Sequence, residues 1–384
     1  MGNREEKADL LQMLPEELAD LVVGLGQPAY RARQVFSWLH RGASFEEMTD
    51  LPRDLRARLV GIARAGSLEM ACEETAPDGA AKLAFRTEDG RVVESVLIPH
   101  GRRTTVCVSS QIGCAFACRF CATGEQGLVR NLAAGEIVEQ VVRVQARWRP
   151  NRVSNVVFMG MGEPLANYEA VVRAVRLLNR PGGLHVGARR IAISTCGLPE
   201  QMRRLAEEGL QVALAVSLHA ATDELRDELV PINKRHPISE VIAAARHFSR
   251  RTGRKIAFQY VVAPGLNDTQ EQARRLVAIA RGLPYMVNLI PRNPTVGSES
   301  PDADAAARFA RLLRKLGAEV SVRRSRGAEV LGACGQLRTR LAGQKSAGRA
   351  EARPAKRVQQ RDDVAATCPR RRRSRRQGPR RRAL

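Results

Sequence analysis

A chain of 384 residues with 44% hydrophobic content has enough apolar material for a large core, which excludes disorder throughout. No run of eighteen apolar residues occurs, and the first segment, MGNREEKADLLQMLPEEL, is charged where a secretory leader would be apolar, so neither a membrane span nor a signal peptide is expected and the protein is placed in the cytoplasm. The formal net charge of +23 implies a polyanionic partner, although fifteen Lys and Arg against three acidic residues fall within residues 345 to 384, a tail that reads either as a solvated, disordered extension or as a non-specific RNA contact.

In chain order, LPEELADLVVGLG and YRARQVFSWLHRG carry apolar residues at three and four residue intervals and end in Gly, which predicts two capped helices. Residues Leu51 to Arg64 predict a third. KLAFRTEDGRVVESVLIP alternates around Asp89-Gly90, a hairpin signal. Residues 1–90 are therefore read as an N-terminal helical accessory domain ending in a hairpin. Its Arg31, Arg33 and Arg41 are either an RNA-gripping surface or a solvated basic face.

From about residue 104, short apolar strands alternate with amphipathic helices. The strands are TTVCVS, VSNVVFM, RRIAIST, QVALAVS, KIAFQYVV and PYMVNLI, with AEVSVR as a seventh, and helices fit at 134–148, 168–179, 198–209, 238–251, 269–282 and 302–316. Six such units predict an α/β protein with a partial (β/α)6 TIM-like barrel over residues 91–340, followed by the tail at 341–384. Chemistry in such barrels gathers where strands end. Polar or Gly-rich segments do follow the strands: Cys114 to Gly124, Gly160 to Pro164, Ser194-Thr195, Ser217-Leu218-His219 and Pro291 to Pro294.

Eight cysteines in a reducing compartment point to metal ligation or reactive thiols before structural disulfides. Cys114, Cys118 and Cys121 form a C-x3-C-x2-C run. Three thiolates so spaced hold three corners of a 4Fe-4S cluster and leave one iron open. An open iron can bind the amino and carboxylate groups of S-adenosyl-L-methionine (SAM) and pass an electron to its sulfonium, releasing a 5′-deoxyadenosyl radical. The alternative is a structural zinc, for which this loop offers no fourth Cys or His.

With Phe120 before the third cysteine and Gly160-Met161-Gly162-Glu163 one βα unit later, the chain resembles the radical SAM superfamily. YRARQVFSWLHRG, VESVLIP, VCVSSQIGCAFACRFCATG, FMGMGEPLANY, VSLHA, NLIPRNP and ACGQL are similar to motifs of one family within it, the RlmN/Cfr RNA methyltransferases, on the RlmN side. The resemblance runs to about residue 340 and leaves out the tail. The sequence departs from the family pattern at TCG after Ser194 and at Gly327-Ala328-Glu329.

That resemblance implies conversion of adenosine to 2-methyladenosine in 23S rRNA and in certain tRNAs, with two SAM consumed per methylation. Cys334 would carry the methyl group as S-methylcysteine, Glu94 would accept the carbon 2 proton, and Cys107 would attack Cys334 to release product as a disulfide. A flavodoxin- or ferredoxin-like donor would supply electrons to a monomeric enzyme with no membrane partner. Gly162, Glu163, Ser194, Ser217, Leu218, His219 and Asn293 match positions that bind SAM. Read by themselves, Cys107 is equally a buried thiol in a strand, Glu94 a solvent-facing edge residue, Cys334 part of a plain turn, and His219 a satisfied structural histidine. Adenine carbon 8 methylation of the Cfr type, and a non-catalytic iron-sulfur RNA-binding protein, are the competing functions.

Overall fold

Amphipathic periodicity decides the first elements. In α1 (Pro15–Gly24), α2 (Arg31–Leu39) and α3 (Arg53–Ile62), the apolar positions Leu18, Val22, Val35, Phe36, Leu39, Leu55 and Leu59 are buried together. Pro15 opens α1, where its missing N–H costs nothing, and the Glu17 carboxylate accepts the N–H of Leu14 at 2.7 Å. The computed structural model describes residues 7–292, 303–323 and 326–337. The predicted tail and Asn293 lie outside the described residues.

Four antiparallel strands come next: β1 (Glu69–Thr75), β2 (Ala81–Arg86), β3 (Val92–His100) and β4 (Arg103–Val108). The turn between β2 and β3 closes as predicted, with Gly90 at φ +75° and the Thr87 N–H on the Arg91 carbonyl at 2.8 Å. Strand β4 then pairs parallel with β5 (Asn155–Phe158), and the parallel run continues through β6 (Ile191–Thr195), β7 (Ala213–Ser217), β8 (Ile256–Val262), β9 (Tyr285–Pro291) and β10 (Val320–Val322). The meander and the parallel strands thus form one ten-stranded sheet whose edges are β1 and β10. A parallel pair needs a long crossover. The crossovers are α4 (Ala134–Trp148), α5 (Tyr168–Asn179), α6 (Pro199–Glu207), α7 (Asp223–Leu229) with α8 (Ile238–Thr252), α9 (Gln270–Ile279) and α10 (Ala303–Lys315).

Alternate residues of each parallel strand, such as Ile191 and Ile193, Leu214 and Val216, Phe258 and Tyr260, and Val287 and Leu289, are buried in the hydrophobic core. The opposite face mixes small, apolar and polar residues, among them Ala192 and Ser194, Ala215 and Ser217, Gln259 and Val261, and Asn288. The architecture is the partial TIM-like barrel read from the sequence. Among the described residues, no helix is long and apolar enough to cross a membrane.

Helix α7 was not expected. DELRDEL offers few apolar residues, and its signal is a cap: the Thr222 hydroxyl accepts the Leu225 N–H at 3.4 Å, with Asp223 and Glu224 in the first turn. Its Arg226 is fully buried. The guanidinium donates to the carbonyls of Cys196, Ser217 (3.3 Å) and Leu218 (3.1 Å) and to Asn233 Oδ1 (2.6 Å), so one side chain joins the ends of β6 and β7. A second constraint lies in the ribbon of Gln111–Gly113 against Leu128–Asn131, which brackets the cysteine loop. Gly113 has φ +77°, and a Cβ there would stand 1.8 Å from the Gly127 carbonyl oxygen, a backbone contact that no side-chain movement relieves.

Two outcomes follow. Arg226→Met strands three strand-end carbonyls and should cost about 2 to 4 kcal/mol, read as a lowered urea midpoint with unchanged slope. Gly113→Ala should displace the loop without unfolding the sheet. Alkylation of Cys114, Cys118 and Cys121, followed by mass spectrometry, should then speed up while circular dichroism is unaltered; unchanged alkylation rates would refute the constraint.

Candidate active site

The strand ends of the parallel sheet open onto a cleft of about 950 Å³, its open mouth included. Nine residues predicted from the sequence line it: Cys114, Cys118, Cys121, Gly162, Glu163, Ser194, Ser217, His219 and Cys334. Leu218 is buried beside them but does not line the cleft. Asn293 lies outside the described residues.

The cysteine loop leaves the ribbon at Cys114, whose N–H donates to the Gly127 carbonyl at 2.9 Å, and folds back where the Cys121 N–H meets the Cys118 carbonyl at 3.0 Å. Ala117, with φ +47°, makes the bend. Burial pushes the Cys114 thiol up to about 11, and burial together with the sulfurs of Cys121 and Cys114 raises Cys118 further. Among the described residues, no trio of Cys, His, Asp or Glu converges tightly enough to hold a single metal ion. Three cysteine thiols lining one cleft are the donors that an iron-sulfur cluster takes. Such a cluster would bind them as thiolates and release their protons.

Facing the loop, the glycine-rich turn after β5 lies close against backbone. At Gly160 a Cβ would come within 2.7 Å of the Val108 carbonyl oxygen, and at Gly162, with φ +96°, within 2.5 Å of Gln111 Cβ. Glu163 is buried. Its N–H donates to Gln111 Oε1 (2.8 Å), while its carboxylate accepts the N–H groups of Leu165 (3.0 Å) and Cys196 (2.8 Å). Burial raises its pKa, and those hydrogen bonds oppose the rise. The Ser194 and Ser217 hydroxyls stand 3.4 Å apart at the ends of β6 and β7.

His219 adopts φ +60°, held by Asn267, whose Nδ2 donates to the carbonyls of His219 (2.8 Å) and Val261 (2.7 Å). Its Nδ1 accepts the Val261 N–H at 3.0 Å, and its ring meets Phe120 edge-on at 4.5 Å between centroids. Burial pushes its pKa down to about 3. The ring is thus neutral near pH 7, with Nε2 carrying the proton.

Cys334 enters from the far end of the chain. The Ala122 N–H donates to the Gly335 carbonyl (2.8 Å) and the Thr123 hydroxyl to that of Leu337 (2.7 Å), so the cysteine loop and the C-terminal segment are stitched together. Cys334 is exposed. Cys107 in β4 is buried, which pushes its thiol up to about 12, and the nearby Cys334 sulfur adds to the rise. Glu94 in β3 is buried rather than solvent-facing, with Lys82 Nζ 3.6 Å from its Oε1. Neither Cys107 nor Glu94 lines the cleft.

Sequence reasoning missed several residues here. Cys196, given no role, supplies its N–H to Glu163 from the cleft wall. Gln111, Arg226, Gln259 and Asn267 are buried polar residues inside apolar strands or ordinary loops, and only the three-dimensional partners distinguish them.

Comparison with known proteins agrees with this geometry. The Radical SAM superfamily model matches residues 108–277, and the Ribosomal RNA large subunit methyltransferase N-terminal domain model matches residues 8–64. A dual-specificity RNA methyltransferase RlmN of Anaeromyxobacter dehalogenans is 48% identical over 344 residues, covering 87% of this chain and 92% of that one. The protein of that name from Geobacter sulfurreducens is 47% identical over 344 residues, covering 88% and 94%. A crystal structure of a radical SAM methyltransferase from Sphaerobacter thermophilus superposes with a TM-score of 0.83 at 47% identity, over 86% of this chain and 99% of that one. With the cysteine loop, the glycine-rich turn and the N-terminal helices all matched, the chain belongs to the RlmN family of the radical SAM superfamily.

Proposed function

We propose that this protein is a cytoplasmic, monomeric RNA methyltransferase that forms 2-methyladenosine in 23S rRNA and tRNA. The observation that supports it most is that Cys334, from the opposite end of the chain, lines the same cleft as Cys114, Cys118 and Cys121. Carbon 2 of adenine is not nucleophilic, so a methyl cation equivalent cannot be delivered to it directly. Cys114, Cys118 and Cys121 would hold a cluster as thiolates, and that group, reduced by a flavodoxin- or ferredoxin-like donor, would supply the electron that cleaves SAM to a 5′-deoxyadenosyl radical.

The chain's own residues do the rest. Glu163 and the backbone around Gly162 orient the SAM amino group, and Ser194, Ser217, Leu218 and His219, with Asn293, hold the remainder of the molecule. Neutral His219 offers a hydrogen bond without adding positive charge beside a sulfonium. Cys334, being exposed, first accepts a methyl group from one SAM and then presents it, as S-methylcysteine, to the base. Loss of one methyl hydrogen to the radical from a second SAM lets that carbon bond to adenine carbon 2. Glu94 takes the carbon 2 proton, and the unpaired electron left on the adduct passes out of the site, to the cluster that Cys114, Cys118 and Cys121 would hold or to an external acceptor. Lys82 Nζ, 3.6 Å from Glu94 Oε1, holds that carboxylate in position. The Cys107 sulfur then attacks Cys334, forming a disulfide as the RNA carbon leaves and is protonated. An external thiol must reduce that disulfide before another turnover.

The target base has to leave its stack to reach the cleft, at a cost of a few kcal/mol that loops and bulges minimise. Positive charge on the body of the chain draws the RNA phosphates.

The test is mass spectrometry of nucleosides from unmodified 23S rRNA and tRNA after anaerobic incubation with reconstituted protein, SAM and reductant. Appearance of 2-methyladenosine is expected; 8-methyladenosine would reassign the position, and neither product would overturn the substrate. Cys334→Ala should abolish product while iron content and SAM binding persist. For Glu94→Gln, product formation should fall by about 10²-fold or more with Cys334 still methylated, and a loss under threefold would remove Glu94 from the proton transfer.

A further inference from the structure

Gln259 sits in the middle of β8, beside Ser217 of β7 and Asn288 of β9 in the strand register. Its neighbours Phe258 and Tyr260 are buried in the core, Tyr260 against Phe309 of α10, so Gln259 and Val261 face the cleft, and both line it. The residue is 3% exposed. Its backbone is fully used, since the carbonyl accepts the N–H groups of Leu218 (3.0 Å) and His219 (3.4 Å). Its side chain is not: both Nε2 and Oε1 are buried without a hydrogen-bond partner.

Other buried shortfalls among the described residues are single nitrogens of Arg31, His40, Arg56 and Arg64. Among the described residues, Gln259 alone leaves a whole functional group unmet. Burying a carboxamide with neither donor nor acceptor satisfied is costly, and an apolar side chain of the same size would avoid the cost. Gln259 lines the cleft, so a ligand seated there can supply the missing partners. A carboxamide offers one donor and one acceptor side by side, the pattern that pairs with an adenine edge or a ribose diol.

We infer that Gln259 binds the nucleoside part of SAM, an assignment that rests on reading this cleft as the SAM site. The strand register chooses SAM over the RNA base. Gln259 lies next to Ser217, whose hydroxyl reaches Ser194, and those two serines are the proposed SAM contacts. It also lies below Val261 and His219 on the path from the strand ends into the barrel, where the smaller ligand must seat before a macromolecule covers the mouth.

The test is anaerobic equilibrium dialysis of the reconstituted full chain with SAM and with 5′-deoxyadenosine, which keeps the nucleoside and lacks the amino acid. Gln259→Leu removes both hydrogen-bonding atoms, and Gln259→Glu keeps an acceptor and loses the donor. In the leucine variant Kd should rise about tenfold or more for both ligands, with the glutamate variant between it and wild type. Iron content should not change, and the melting temperature without ligand should hold or rise, because the unmet amide is gone. A merely structural glutamine would behave in the opposite way, with a lowered melting temperature and unchanged Kd. Values of Kd within twofold of wild type in both variants, or a loss for SAM without one for 5′-deoxyadenosine, would overturn the assignment. So would unaltered SAM binding with weakened binding of a hairpin RNA, which would give Gln259 to the substrate base. Failure of the wild-type protein to bind SAM at all would instead overturn the reading of the cleft.

Discussion

Arg226 carries its guanidinium into the interior, and the rim of the cleft is built around it. Burial works against its charge, lowering its pKa from the ordinary value. Its partners are backbone carbonyls at the ends of β6 and β7 and the amide oxygen of Asn233. Carbonyls at the ends of parallel strands have no further strand partner and would otherwise need water. A guanidinium with five donors in a fixed plane can satisfy several at once, and it thereby fixes the spacing of the two strand ends that present Ser194 and Ser217. Cys118 and Cys196 lie within its electrostatic reach. Burial pushes both thiols up, and the Arg226 charge is the contribution that opposes the rise.

The parts of the fold governed by short-range patterns were legible in the sequence. Helix α5 buries Val171, Val172, Val175 and Leu178 at the spacing that predicted it, and the Asp89-Gly90 turn follows from glycine's freedom at positive φ. The cysteine loop was legible for a similar reason, since C-x3-C-x2-C is local. Helix α7 was not, because its stability comes from a cap and from one buried charge rather than from an apolar stripe. Glu94 shows the same limit. An acidic residue among valines reads equally as an edge residue or a buried one, and only the segment around Gly332, which packs near Val96 and Lys82, settles which side is covered.

Residues that hold other residues were the least visible. Asn267 fixes His219 in a left-handed conformation by donating to two carbonyls, while its own Oδ1 accepts the Ala263 N–H at 2.7 Å. Nothing in GLND announces that role, because each contact belongs to a strand end or loop brought near by the barrel. Gln111 likewise joins the cysteine ribbon to the glycine-rich turn through Glu163. Periodicity identifies which face is buried; it cannot say which buried polar residue meets which.

The two classes of cysteine are supported in different ways, and this difference fits their proposed work. Cys114, Cys118 and Cys121 lie on a loop closed by the Gly113–Gly127 approach, by backbone hydrogen bonds and by the stitch to Gly335 and Leu337. These contacts order the loop through its own backbone, which lowers the entropic cost of binding a group to it. Cys334 is attached to that same loop through its neighbour Gly335, at φ +81° and with room for no side chain against the Phe120 carbonyl. Its thiol is nevertheless exposed. The proposed nucleophile, which would meet SAM, then an RNA base, then the sulfur of Cys107, needs a fixed backbone and an accessible side chain, and a glycine-hinged segment pinned to the cysteine loop supplies both.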